Sequence, residues 1–365
     1  MEQIQNNRVI TDLYRENAQF PGIALDGSDV YLCWQRFVDR HDSLMASCRR
    51  GDEVVWEREI SDGGEVLHPV ILAHGGAIWY AWSEYARENW RILARCYRDG
   101  QWGEVLTVAS GEALFFPRLF TWQGRLHVIW TEQHKGSAAA VLCPLTEAGP
   151  GAAETVSAVG EAYRAGAAEG GDGNLYVAYD GFDGKQYKLF ARARTAAGWS
   201  KEIVVSQGED WASTPWIAAK PDGAVVGWYD YGYMAVYSVR SADLTVRDGA
   251  LAAVNPQCLK EGVDWYLDLH VASNASGLQA MAYTRSKYDV LVCTRRGSEP
   301  WSRPVLMSYG DGHCGVHPKL LVDEDDTIHL MWQFGFKNGH MERNAQVIYN
   351  LSLIHISEPT RPISI

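Results

Sequence analysis

The chain of 365 residues contains no run approaching 18 apolar residues, which excludes a membrane-spanning helix. Its opening stretch, Met1-Glu2-Gln3-Ile4-Gln5-Asn6-Asn7, has neither the basic region nor the apolar region of a signal peptide. As written, a cytoplasmic protein is expected, and a secreted one if the native N-terminus is incomplete. Positive charge is scarce: 33 Lys and Arg stand against 45 Asp and Glu, for a net charge of -12, and the basic residues do not cluster. Nucleic acid and anionic membranes both need clustered Lys or Arg, so neither is an expected partner. There are 7 cysteines, an odd number, with no Cys-x-x-Cys pair and no Cys/His spacing suited to zinc. No disulfide, metal or cofactor is expected, and a monomer is. Helical periodicity is missing as well, which removes the α and α/β classes.

What is present is a repeat. The aromatic strand Ala77-Ile78-Trp79-Tyr80-Ala81-Trp82-Ser83-Glu84 has relatives ending on Trp34, Trp130, Tyr179, Trp228, Tyr283 and Trp332, so that the anchor ring returns after 48, 48, 49, 49, 55 and 49 residues. A fixed period of this size marks a repeat architecture. Each unit opens with a short apolar strand, in five cases entered through proline (Pro21, Pro69, Pro117, Pro215, Pro318). A Gly or Asp-Gly turn then leads into the aromatic strand, which is a hairpin signal. A third strand follows, carrying Cys48, Cys96, Cys143 and Cys293 in four of the units, and a fourth begins near Trp56, Trp102, Trp199 or Trp301, rings whose periodicity predicts core positions. Four short antiparallel strands per period predict an all-β, seven-bladed β-propeller with blades starting near residues 20, 68, 116, 163, 214, 267 and 317.

The last unit runs out of chain after its third strand, around residues 345–349. Residues 7–12 sit before the first blade as a fourth strand without its three predecessors, and are expected to close the last blade, leaving no open edge. One propeller domain over residues 1–350 follows. The segment Leu351-Ser352-Leu353-Ile354-His355-Ile356-Ser357-Glu358-Pro359-Thr360-Arg361 resembles a translated sequencing adapter, so residues 351–365 are expected not to be native, and a further C-terminal domain is an open expectation.

Loops on one face of a propeller converge on its axis, and binding sites are built there. Two places past each anchor ring, or beside that place in the fourth blade, lie Arg36, Glu84, Glu132, Asp180, Asp230 and Arg285. Carboxylates there would accept sugar hydroxyls or act as acid and base, and the two arginines would clamp an acidic group. The competing explanation is that a strand leaving the core ends in something polar. A second set lies before or at the start of the first strands: His68, Arg164, Trp211, Asp264, Trp265, Asp268, His313 and His317. His68-Pro69 and His317-Pro318 occupy one blade position, which a repeated structural hydrogen bond would explain as well as catalysis does. Trp211 and Trp265 sit in loops, where an indole suits stacking on a sugar. Tyr231, in Trp228-Tyr229-Asp230-Tyr231-Gly232-Tyr233, adds a phenol beside a carboxylate.

The blade pattern resembles the sialidase-like, BNR-type propeller superfamily over residues 8–350. Arg98-Asp99-Gly100-Gln101-Trp102 and Ala197-Gly198-Trp199-Ser200 look like decayed forms of its Asp box. The Arg-Ile-Pro segment of sialidases is absent, the first blade opening Gln19-Phe20-Pro21, so a typical sialidase is not expected. The resemblance implies a glycan or polysaccharide ligand, and, if the protein is an enzyme, a glycoside hydrolase or polysaccharide lyase acting on an acidic glycan. A non-catalytic protein-interaction scaffold is the alternative.

Overall fold

The computed structural model describes residues 7–11, 17–61, 63–232, 237–263, 268–285, 289–308, 314–335 and 346–352. These form seven antiparallel sheets, all strand and turn with no helix, arranged as the blades of a propeller. The first strands of the blades are Asn17–Asp26, Glu65–His74, Ala113–Trp122, Ala162–Glu169, Trp211–Lys220, Leu269–Ser273 and Cys314–Val322. They run innermost, and each pairs with the aromatic second strand that follows it. In blades 2, 3 and 4 the outer strand is broken into two short pieces, both bonded to the third strand.

The anchor rings hold the blades together. Trp34, Trp82, Trp130, Tyr179, Trp228, Tyr283 and Trp332 are all buried, none more than 3% exposed. Alternation along a strand sends such a ring and its i+2 neighbours to one face, against the preceding sheet. Removing one of the indoles would cost about 3–5 kcal/mol. The turn between the first two strands of blade 2 shows how local sequence sets the register. Gly75 and Gly76 both have positive φ (59° and 71°), the two-residue hairpin geometry that L side chains resist.

Arg8 and Val9 pair with Tyr349 and Ile348, so the N-terminal strand closes the last blade. The Thr11 hydroxyl reinforces this seam, donating to Gln346 Oε1 at 2.7 Å and accepting from Val347 N at 3.1 Å. The third strand of that blade, Gln346–Ser352, continues two residues into the adapter-like segment, with Leu351 opposite His329 and Ser352 opposite Ile328. The outer-strand tryptophans, expected at core positions, pack against the core from its margin. Trp56, Trp102, Trp199 and Trp301 are half-buried at the ends of core clusters. Three of them are faced by guanidinium groups: Arg95 over Trp102 at 5.3 Å, Arg192 over Trp199 at 5.2 Å and Arg295 over Trp301 at 4.6 Å. An outer strand has solvent on one side, and a cation over the ring face suits that half-wet position. Cys33, Cys48, Cys96, Cys143 and Cys293 are buried free thiols, and Cys258 is exposed.

Candidate active site

A single backbone irregularity, repeated around the ring, builds the site. In six blades the pairing between first and second strands slips by a bulge: Gln19/Gly22, Leu67/Val70, Phe115/Arg118, Tyr163/Gly166, Ser213/Trp216 and Val316/Lys319. Inside each bulge sits a non-glycine residue with positive φ: Phe20 (49°), His68 (53°), Phe116 (54°), Arg164 (36°), Thr214 (51°) and His317 (51°). Five of the six precede proline. A bulge re-aims a side chain, and here all six are brought to one cavity of about 210 Å³ at the propeller axis, together with Asp268 from blade 6. Strained φ values on bulky residues persist where the surrounding fold over-determines them, and they gather at functional sites.

Two residues beyond the bulge, a second tier forms the cavity floor. The Arg118 guanidinium lies 3.7 Å from the centre of the Trp216 ring and donates to the Pro215 carbonyl at 2.7 Å. Lys319 Nζ approaches the same ring at 4.3 Å, and His270 packs against it at 4.1 Å. Gly166 occupies this tier in blade 4 because any Cβ there would stand 2.6 Å from Arg118 Nη1. Beneath the floor a second chamber of about 340 Å³ continues along the axis, lined mainly by apolar strand residues such as Ile23, Leu72, Ala218 and Leu321.

Three cations, Arg118, Arg164 and Lys319, line the upper cavity against one carboxylate, Asp268. Burial alone would raise the Asp268 carboxyl, but Lys319, His317 and His270 outweigh it and hold the group down to about 2. An ionised carboxylate only accepts, so the 2.7 Å contact between Asp268 Oδ2 and His317 Nδ1 puts the proton on Nδ1 and leaves Nε2 as the exchanging atom. His68 is the opposite case. Burial, with the nearby His317 and Lys319 charges, pushes it down to about 4, so it is neutral at physiological pH, and its Nδ1 has no partner. Burial likewise lowers Arg118 to about 10 and depresses Lys319. Arg164 engages Asp180 through Nε (3.2 Å to Oδ1) and Nη2, which leaves Nη1 for a ligand.

A groove of about 520 Å³ adjoins this cavity, sharing Phe116 and Arg164 with it. Its walls are Tyr163, Tyr187, Trp211, Ser213, Tyr231 and Tyr237. Strand register explains the cluster: Trp211 is opposite Tyr231, which is opposite Tyr237, so one level of blade 5 carries three rings in a row. Trp211 is 46% exposed, an indole offered to solvent rather than to the core.

The acids placed two past the anchors do not meet. Glu84 is fully buried, bound to Arg91 and accepting the Trp82 indole N–H at 3.3 Å. Asp230 repeats that arrangement, accepting from Trp228 Nε1 at 2.6 Å with Arg240 at 3.2 Å, and burial raises its pKa. Their column position is thus used to satisfy the anchor indoles. Glu132 is exposed on a separate surface depression, and Asp180 reaches the axis only through Arg164. Arg36 pairs with Glu59 at 2.7 Å and Arg285 with Asp289 at 2.9 Å, neither lining the cavity. Of the second set, His68, Arg164, Asp268 and His317 come together in the cavity, and Trp211 lies in the adjoining groove, where Tyr231 joins it. Asp264, Trp265 and His313 lie outside the described residues. Sequence reasoning missed Phe20, Phe116, Thr214, Arg118, Trp216, His270 and Lys319. For Arg118 and Lys319 the signal was a cation set in an apolar strand just after proline, as in Pro117-Arg118-Leu119 and Pro318-Lys319-Leu320. Among the described residues no group of three metal-ligating side chains occurs.

No family model matches the chain, and no curated protein matches it. Solved structures do. An ulvan lyase bound to -[GlcA(1-4)Rha3S]- is similar with a TM-score of 0.62 and 10% identity, covering 94% of this chain and 96% of that one. The polysaccharide lyase Uly1 is similar at 0.61 and 10% identity, covering 91% and 89%. A Trypanosoma rangeli sialidase is similar at 0.51 and 9% identity, covering 93% of this chain and 55% of that one. Identities this low establish the fold, a sialidase-like β-propeller, and a fold does not fix a reaction.

Proposed function

We propose that this chain is a polysaccharide lyase that cleaves an acidic glycan at the axial cavity. The observation that carries the reading is the presence in one cavity of a neutral imidazole, His68, whose Nδ1 has no hydrogen-bond partner, and an Asp268-bound imidazole, His317, amid a surplus of cations. In the described cavity Asp268 is the one carboxylate, and it is tied to His317 and Lys319, so the two-carboxylate machinery of a glycosidase is not what this site offers.

The chemistry runs from these groups. Arg164 Nη1, with Lys319 behind it, neutralises the uronate carboxylate, which acidifies the adjacent C5–H. His68 takes that proton, the C4–O bond breaks, and a C4=C5 double bond forms. His317, doubly protonated against Asp268, gives its Nε2 proton to the leaving sugar oxygen, and the proton that His68 took returns to His317 before the next cycle, so the elimination balances without water or an oxidant. The aromatic groove would hold the neighbouring sugars against ring faces. The fold similarity to two polysaccharide lyases supports the reading. A concave, charged cavity also suits a small polar ligand better than the shallow apolar face of an interaction scaffold.

The test is incubation of the protein with a panel of acidic and neutral polysaccharides, followed by ultraviolet absorbance and mass spectrometry. Unsaturated uronate products are expected. Hydrated fragments would point to a hydrolase instead, and retention without turnover to a binding module.

A further inference from the structure

Charge is distributed unevenly along the cavity and groove. The cations are concentrated at the axis, whereas the groove that leaves it has one cation among its described lining residues, Arg164, standing at the junction. Beyond it the walls are phenol and indole rings and the Ser213 hydroxyl. Glu161 lies beside the Tyr163 phenol, and Asp180, itself paired with Arg164, also acts on it. A carboxylate seated in this groove beyond Arg164 would lose water, find no cation among the described lining residues and face the electron-rich faces of aromatic rings. An uncharged sugar meets neither penalty and can lay its C–H face on Trp211 or Tyr231.

We infer, resting on the reading of the axial cavity as a lyase site, that the substrate is a polymer in which the uronate bound at the axis is followed, along the groove, by an uncharged sugar. Alternating polymers are the substrate class, and homopolyuronates are discriminated against. Trp211, Tyr231 and Tyr237 set this preference, while His68, His317 and Arg164 act on the uronate itself.

The experiment compares matched pairs that keep the uronate constant: hyaluronan against β-1,4-polyglucuronate, and a rhamnogalacturonan backbone against polygalacturonate. Initial rates of unsaturated-product formation are measured on each. The expected result is that the alternating member of whichever pair is cleaved is preferred by about tenfold or more. In Tyr231→Lys, which places a cation in the groove, that ratio should fall about tenfold; Trp211→Lys, at an exposed ring, makes the same test if the first variant fails to fold. Equal or faster cleavage of the homopolymer, or a ratio unmoved by either lysine, overturns the inference and leaves the lyase reading intact. If no polymer is cleaved, the lyase reading fails, and affinity electrophoresis of the same four polymers decides the inference. Stronger retardation by the alternating members sustains it, and equal or absent retardation overturns it.

Discussion

His317 Nδ1 lies 2.7 Å from Asp268 Oδ2, and the two residues come from different blades, 49 positions apart in the chain. The bond therefore fixes both the tautomer of the imidazole and the seating of blade 7 against blade 6. Lys319, 3.6 Å from the same oxygen, keeps the carboxylate ionised and so keeps it an acceptor.

Replacing that carboxylate tests the arrangement. In Asp268→Asn the amide can present either an acceptor or a donor to His317, and Nε2 loses its assigned role. Turnover on a cleaved acidic polysaccharide should fall about 100-fold or more with little change in KM, because the lost interaction belongs to the proton transfer and not to binding. Steady-state kinetics with far-ultraviolet circular dichroism as a folding control would show it. A rise in KM alone would remove His317 from the chemistry.

His68 makes stability depend on pH. Its folded-state pKa, about 4, lies below the ordinary value of 6.5. The unfolded chain therefore binds a proton that the folded chain refuses between these limits, and stability rises with pH across that window. The contribution is complete above pH 6.5, is lost as pH falls toward 4, and is on the order of 2–3 kcal/mol. Urea midpoints for the wild type should climb from pH 4 to pH 6.5 more steeply than those of His68→Gln. Parallel slopes would mean that the imidazole is freely hydrated.

Glu84→Gln separates structure from catalysis. This side chain is buried against Arg91 and the Trp82 indole, away from the axial cavity. The substitution leaves a half-buried guanidinium without its counter-ion, costing about 1–3 kcal/mol. Thermal melting should reveal the loss, while kcat of the folded fraction stays at the wild-type value. A large fall in kcat would return Glu84 to the list of catalytic candidates.

Deleting residues 1–11 opens the last blade. The Arg8–Tyr349 and Val9–Ile348 pairs and both Thr11 hydrogen bonds disappear, and Gln346–Ser352 becomes an unprotected edge strand. A melting temperature lower by several degrees and a shift toward dimers or aggregates are expected by scanning calorimetry and light scattering. An unchanged profile would show that the seam contributes nothing to stability.

The fold was legible because packing writes a period into the chain. Each anchor ring must fill the same inter-blade space, so Trp34, Trp82, Trp130 and their counterparts recur, and the lone N-terminal strand at residues 8 and 9, pairing into the last blade, completes the count. The site was only half legible. Strict alternation places Glu84 and Asp230 at the end of a strand and says nothing of the indole N–H beside each, which is what claims them. The bulge within the first strand of six blades breaks the alternation, and a residue before proline is ordinarily biased to extended backbone, so the positive φ of His68 or His317 has no local signature. The proline itself, five times at one blade position, was the clue, and reading the residue just past it would have found Arg118, Trp216 and Lys319.

Val9 and Ile348 are register partners on neighbouring strands, which brings the two ends of the propeller within a short linker of each other. Joining them covalently and cutting the chain in an inter-blade loop would produce a circular permutant whose seam lies in a different blade. Every blade contributes one innermost strand to the axial cavity, and none of those strands crosses the present seam. The reading order of the gene could therefore be rotated around the ring while His68, His317 and Arg164 kept their places.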